Sequence, residues 1–229
     1  MTVKYRFFAG LVLVDIEGTI SPISFVRDTL FAYSCEHLAS FLAERGHEPA
    51  VAAILEETRE QSGDADALRA LLAWQEQDIK APPLKKLQGL IWERGYTEGA
   101  YKAPLYPDVL GALEAWKAIG LPVHVYSSGS VKAQELFFRY STVGDIRARF
   151  AGFHDTGVGN KQVPASYGRI IEIAGIPASS ALFFSDNAGE LAAASDAGLQ
   201  VVQVVKDGTV ADARFPQISS FDQIAVDPA

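Results

Sequence analysis

The chain has 229 residues, of which 48% are hydrophobic and 21% charged, the composition of a folded globular protein rather than a disordered one. Lys and Arg number 20 against 28 Asp and Glu, a formal net charge of -8, which is the wrong sign for a nucleic-acid surface that must replace counterions on phosphate. The one cysteine, Cys35, excludes an internal disulfide and a multi-thiolate metal centre and fits a reducing cytoplasm.

No stretch approaches the roughly 18–20 uninterrupted apolar residues of a membrane helix, so no membrane partner is expected. Near the start, Lys4 and Arg6 precede an apolar run over residues 7–14, in outline a secretory leader. The run ends in Asp15-Ile16-Glu17 without a small-residue cleavage pattern, and reads instead as a buried first strand. Leu11-Val12-Leu13-Val14 is wholly apolar, as strands covered on both faces of a parallel sheet are. From Ser24 to about Gly95 the spacing is helical throughout. Stretches 25–45, 49–61 and 65–80 are expected helices, with Leu68, Leu71, Leu72 and Ile79 on one apolar face; Pro82-Pro83 interrupts and 84–93 resumes. Beyond Pro104 and Pro107, apolar runs at 121–126, 181–184 and 201–205, with a weaker one at 150–153, alternate with helical patterns at 108–119, 131–140, 165–174 and 188–197. This order predicts an α/β fold: a doubly wound, Rossmann-like parallel sheet formed by residues 1–20 and 104–229, with an all-helical cap, 21–103, inserted after the first strand.

A parallel sheet presents functional groups at the carboxyl ends of its strands. The first strand ends in Asp15-Ile16-Glu17-Gly18-Thr19 and the next in Ser127-Ser128-Gly129-Ser130. The 181–184 run ends in Ser185-Asp186-Asn187, with Glu190 a turn further, and Lys161 follows Gly157-Val158-Gly159-Asn160. Taken singly, Asp15 and Asp186 read as turn or cap residues, the serines as a helix start, and Lys161 as a solvated lysine. Gathered on one rim, they are the parts of a Mg²⁺-dependent phosphoryl-transfer site. A carboxylate facing a phosphate oxygen at about 4 Å costs on the order of 4 kcal/mol at an effective dielectric of 20, and Mg²⁺ held by Asp15 and Asp186 removes that penalty. Lys161 would neutralise another phosphate oxygen, Ser127 would donate a hydrogen bond, and Glu17 would serve as acid and base. Other chemistries fit less well. A G-x-x-x-x-G-K-[ST] loop, a complete dinucleotide fingerprint and a G-x-S-x-G elbow are all missing. His37, His47, His124 and His154 lack zinc-ligand spacing and read as structural or surface residues.

Asp15-x-Glu17-Gly18-Thr19, the serines after the second core strand, Lys161 and Asp186-x-x-x-Glu190 resemble the four signatures of the haloacid-dehalogenase superfamily. That superfamily usually carries D-x-D in the first signature. Glutamate in the third place, followed by Pro22-Ile23-Ser24-Phe25-Val26, is similar to the acireductone synthase family, the enolase-phosphatases of methionine salvage. The likeness continues through residues 126–134, Asp155-Thr156 and 184–190, and covers essentially the whole chain. It implies one Mg²⁺ per subunit, held by Asp15, Asp186 and Glu17, the last through its backbone carbonyl. It also implies phosphate binding by Ser127, Ser128 and Lys161, and a catalytic set of Asp15, Glu17 and Lys161. The implied substrate is 2,3-diketo-5-methylthiopentyl-1-phosphate, enolised and then dephosphorylated in one site by a monomeric cytoplasmic enzyme. Two alternatives stay open: a superfamily phosphatase with another small phosphorylated metabolite, and a phospho-accepting receiver module, which carries no inserted helical cap.

Overall fold

The structure, a computed structural model, describes residues 3–77 and 79–229. It divides into two units, Met1–Ile23 with Ala103–Ala229, and Ser24–Lys102. In the first unit the strands are β1 (Tyr5–Ala9), β2 (Leu11–Val14), β3 (Val123–Tyr126), β4 (Gly152–His154), β5 (Ala181–Ser185), β6 (Gln200–Val204), β7 (Gln217–Ile218) and β8 (Ile224–Pro228). Six of them form one sheet in the order β4-β3-β2-β5-β6-β7, and every pairing is parallel. Connections run one way from β2 through β3 to β4 and the other way from β5 through β6 to β7. The doubly wound sheet therefore reverses direction at the β2/β5 boundary.

The central strands are buried along their whole length, four residues in β2 and five in β5, which explains their unbroken apolar sequence. Helices cover both faces. On one, Tyr167, Ile170 and Ile171 of helix Pro164–Ala174 and Leu191 and Ala194 of helix Ala188–Asp196 pack on Leu11, Leu13, Phe183 and Val201. On the other, Trp116 of helix Val109–Ala118 stacks on Phe184 with ring centroids 5.8 Å apart.

The apolar run 7–14 is two strands, not one. Gly10 donates its N–H to the Ser180 carbonyl at 2.7 Å, and the chain before it leaves the main sheet to pair in parallel with β8. β1 alternates half-buried and exposed residues, with Phe8 exposed, so it is not the buried strand its composition suggests.

The second unit is helical over Ala32–Arg45, Pro49–Ser62, Ala67–Glu76 and Pro82–Glu98, and Leu38, Phe41, Val51, Leu71, Leu87 and Ile91 form its core. A wider π-helical turn, Val26–Phe31, leads into the first of these. Two expectations are corrected. The helix sought over 65–80 covers only Ala67–Glu76, started by the Asp66 side chain accepting the Arg69 N–H; Asp78 of that stretch lies outside the described residues. Its buried face is Ala67, Ala70 and Leu71, whereas Leu72 and Ile79 are exposed. Pro82-Pro83 begins a helix rather than interrupting one, because proline suits a first turn whose N–H groups have no intrahelical partner. Among the described residues, no helix is long and apolar enough to cross a membrane.

Candidate active site at the strand ends

Asp15 leaves the end of β2 with its N–H on the Phe184 carbonyl of β5 at 3.0 Å, so the two strand ends at the reversal point are held side by side. The chain then turns tightly: the N–H groups of Thr19, Ile20 and Ser21 all converge on the Ile16 carbonyl at 3.0–3.3 Å. Gly18 makes this turn with φ 77°, a left-handed conformation favouring glycine. The turn brings the buried Thr19 hydroxyl between the two acids. It accepts the Asp186 N–H at 3.0 Å and donates to Asp15 Oδ2 at 3.4 Å. From β6, the buried Gln203 amide donates to the Asp186 carbonyl at 3.0 Å. Asp186 does not cap the following helix; Asn187 does, accepting the N–H groups of Gly189 and Glu190, which leaves the Asp186 carboxyl out of the cap.

Lys161 is 7% exposed, so it is a buried cation and not a solvated lysine. Its ammonium bonds Asp15 Oδ1 directly and Glu190 Oε2 at 2.7 Å. The main chain at this point is anchored by the Tyr167 hydroxyl, which donates to the Lys161 carbonyl at 2.7 Å. Glu190 also accepts the Ser185 hydroxyl at 3.0 Å. Sequence spacing pointed to Glu190 only as a residue one turn past Asp186. Its partnership with Lys161 spans chain segments that no local pattern connects.

At the end of β3, Ser127 is fully buried and its hydroxyl donates to Glu17 Oε2 at 3.3 Å. The Ser127 N–H goes to the His154 carbonyl at 3.1 Å, and the Gln134 amide bridges the Gly129 and His154 carbonyls at 2.8 and 2.9 Å. Ser130 caps the helix Val131–Arg139, and Ser128 is exposed beside it. Asp15, Lys161 and Glu190 thus form a connected set that Asp186 joins through Thr19, and the Ser127–Glu17 pair lies within reach of their charges.

Burial and crowding of like charge set the electrostatics. Asp186 is pushed up to about 6 and Glu190 to about 7, in each case by burial first and the Asp15 charge second. Glu17 is raised by the same two causes in the same order. Burial alone would lower Lys161, but Asp15 and Glu190 outweigh it and hold the ammonium above its ordinary value. One cation therefore faces four carboxyl groups. Asp15 and Asp186 offer hard oxygen donors on neighbouring strand ends, and Gly18, lacking a side chain, leaves the Asp186 carboxyl room beside the turn. The donor chemistry fits Mg²⁺, which is bound by one or two carboxylates and keeps several waters. Among the described residues, no group of three or more His, Cys, Asp or Glu side chains has metal-holding geometry. The Glu17 carboxyl is directed to the Ser127 hydroxyl.

A doubly wound parallel sheet with two acids, a buried lysine and a serine at its switch point defines a hydrolase of the haloacid-dehalogenase type. The family model of haloacid dehalogenase-like hydrolases matches residues 10–198. The chain is 50% identical over 216 residues to enolase-phosphatase E1 of Bradyrhizobium sp., covering 94% of each protein. It is 43% identical over 219 residues to enolase-phosphatase E1 of Aquifex aeolicus, covering 94% of this chain and 98% of that one. Among solved structures, the UTR4 protein of Saccharomyces cerevisiae superposes with a TM-score of 0.80 at 33% identity, over 93% of this chain and 99% of that one. CbbY of Rhodobacter sphaeroides, solved with phosphate, shares the fold at a TM-score of 0.63 and 17% identity, over 93% and 95% of the two chains. The chain belongs to the enolase-phosphatase E1 family of haloacid dehalogenase-like hydrolases.

Proposed function

We infer that the protein converts 2,3-diketo-5-methylthiopentyl-1-phosphate to the acireductone 1,2-dihydroxy-3-keto-5-methylthiopentene and phosphate, the enolase-phosphatase step of methionine salvage. The observation that carries the two-reaction reading is Glu17. It is a carboxyl raised by burial, two residues beyond Asp15, with the Ser127 hydroxyl donating to it at 3.3 Å. A carboxyl made more basic by burial and hydrogen-bonded by a serine hydroxyl can take up and return a proton, as both enolisation and leaving-group protonation require.

In this reading residues 1–20 and 104–229 carry the catalytic groups and residues 21–103 form the cap. Lys161, Ser127 and Ser128 hold the substrate phosphate through both reactions. Glu17 takes the proton from carbon 1 and gives it to the leaving oxygen when phosphate departs. Asp15 and Asp186, with the Glu17 carbonyl, hold one Mg²⁺. When bound, this ion supplies the positive charge that offsets repulsion between Asp15 and the phosphate oxygens. Lys161 fixes one oxygen of Asp15 and Thr19 the other, so the carboxylate is oriented before substrate arrives.

The net charge of -8 argues against nucleic acid as a partner, and for a small phosphorylated metabolite the bound Mg²⁺ and Lys161 supply the positive charge the chain as a whole lacks. The free, exposed Cys35 suits the cytoplasm, and we place the enzyme there as a monomer with no membrane partner. Phosphate release from a panel of small phosphate esters tests the substrate. The diketone phosphate should exceed sugar phosphates in kcat/KM by orders of magnitude; equal turnover across the panel would contradict the assignment.

A further inference from the structure

β3 and β4 pair with His124 opposite Gly152 and Tyr126 opposite His154. His124 and His154 are therefore diagonal neighbours on one face of the sheet, since side chains alternate along a strand. Gly152 makes their meeting possible: a Cβ there would sit 2.9 Å from His124 Cε1, so only glycine lets the ring lie across β4. His124 Nδ1 and His154 Nε2 are 3.0 Å apart, with ring centroids 5.1 Å apart. β4 is an edge strand, and both imidazoles line a cavity of about 690 Å³ together with Phe153, Asp155, Val158 and Ile173.

We propose that His124 and His154 form a binding site for a borderline transition-metal dication, such as Zn²⁺ or Ni²⁺, separate from the carboxylate site. A tetrahedral ion about 2.05 Å from each nitrogen sets the two nitrogens about 3.3 Å and the two ring centroids about 5.2 Å apart. The rings already have that centroid separation, and turning each ring by roughly 35° out of their mutual hydrogen bond aims both lone pairs at one point beside it. Water from the cavity fills the remaining positions. Both imidazoles are held neutral at pH 7 by burial, His154 down to about 4, so no positive charge has to be expelled. In the free pair one ring N–H donates to the other ring's lone pair. On binding, that proton moves to the donor ring's other nitrogen, and no net proton is released. Asp155 adds negative charge at the cavity wall, its oxygens already ordered by the N–H groups of Gly157 at 2.8 Å and Val131 at 3.1 Å. Imidazole selects Zn²⁺ and Ni²⁺ over Mg²⁺, whereas the carboxylates of Asp15 and Asp186 suit Mg²⁺, so the two sites take different ions.

Calorimetric titration of the full chain with Ni²⁺ in excess Mg²⁺ tests this. One equivalent should bind with a dissociation constant in the micromolar range and with no net proton release between pH 7 and pH 8. His124→Gln and His154→Gln should each weaken it at least tenfold, and Asp186→Asn should leave it unchanged. Wild-type-like binding in both glutamine variants, loss of binding in Asp186→Asn, or no binding to the wild type would overturn the proposal. Should the glutamine variants misfold, imidazole ¹⁵N spectra of the wild type with Zn²⁺ decide. Shifts at His124 Nδ1 and His154 Nε2 are expected, and shifts confined to His37 and His47 would overturn it.

Discussion

Gly18 lies directly against the Asp186 carboxyl: a Cβ on residue 18 would stand 2.6 Å from Asp186 Cγ. The turn after β2 is thus fitted to an acid from β5, and its φ of 77° already disfavours any other residue. Gly18→Ala should displace Asp186, cut kcat/KM about 100-fold or more and raise the Mg²⁺ requirement, because a small misplacement at a reacting centre is that costly. Steady-state assays across a Mg²⁺ series check this, and an unchanged metal dependence would separate Gly18 from Asp186.

Asp15 and Asp186 have different tasks, so their variants should fail differently. Asp15→Asn retains the shape but loses the charge that pairs with Lys161 and metal; turnover should fall below a few per cent with the circular dichroism spectrum unchanged. Asp186→Ala should instead shift half-saturation by Mg²⁺ upward at least tenfold while leaving measurable turnover at high metal concentration.

Lys161 sits between Asp15 and Glu190 with almost no solvent, so removing it strands buried carboxylates. Lys161→Met should destabilise the fold by about 3 kcal/mol, the scale for breaking a buried ion pair by deleting one partner. Adding Glu190→Gln should recover part of that stability without restoring activity. Urea unfolding of the single and double variants measures both effects.

The histidine pair makes stability fall on acidification. His154 is depressed to about 4 in the folded protein, by burial first and the neighbouring His124 second, against an ordinary value near 6.5. An unfolded chain therefore takes up a proton as pH drops below 6.5, while the folded one does not until about pH 4. The pair's full contribution is present above pH 6.5 and is lost progressively below it, a change on the order of 3 kcal/mol for His154. Melting temperatures between pH 7 and pH 4.5 should decline less steeply for His154→Asn than for the wild type.

Much of this was legible in the sequence, for physical reasons. β2 and β5 are covered on both faces, so their apolar runs were unambiguous, and each gives way to polar residues at its carboxyl end, where a parallel sheet presents its functional groups. What escaped the sequence depends on long-range register. Gly10 splits residues 7–14 because β1 finds β8 at the far end of the chain. Leu72 has helical spacing from Leu68, and Ile79 from Leu72, yet both are exposed, since Ala67 and Ala70 complete the buried face with Leu71 and the helix ends at Glu76. The meeting of Lys161 with Glu190, and of His124 with His154, follows from strand order and a diagonal register rather than from any local motif.

Rapid mixing of the enzyme with 2,3-diketo-5-methylthiopentyl-1-phosphate in deuterated water, following enol absorbance and free phosphate together, separates enolisation from dephosphorylation. If Glu17 and its neighbours perform both reactions in one site, enol absorbance rises before phosphate, and the delay lengthens in deuterated buffer when the dephosphorylation step carries a proton transfer. Phosphate appearing in step with substrate loss, with no enolised phosphate formed and the product enolising only later in solution, would contradict it.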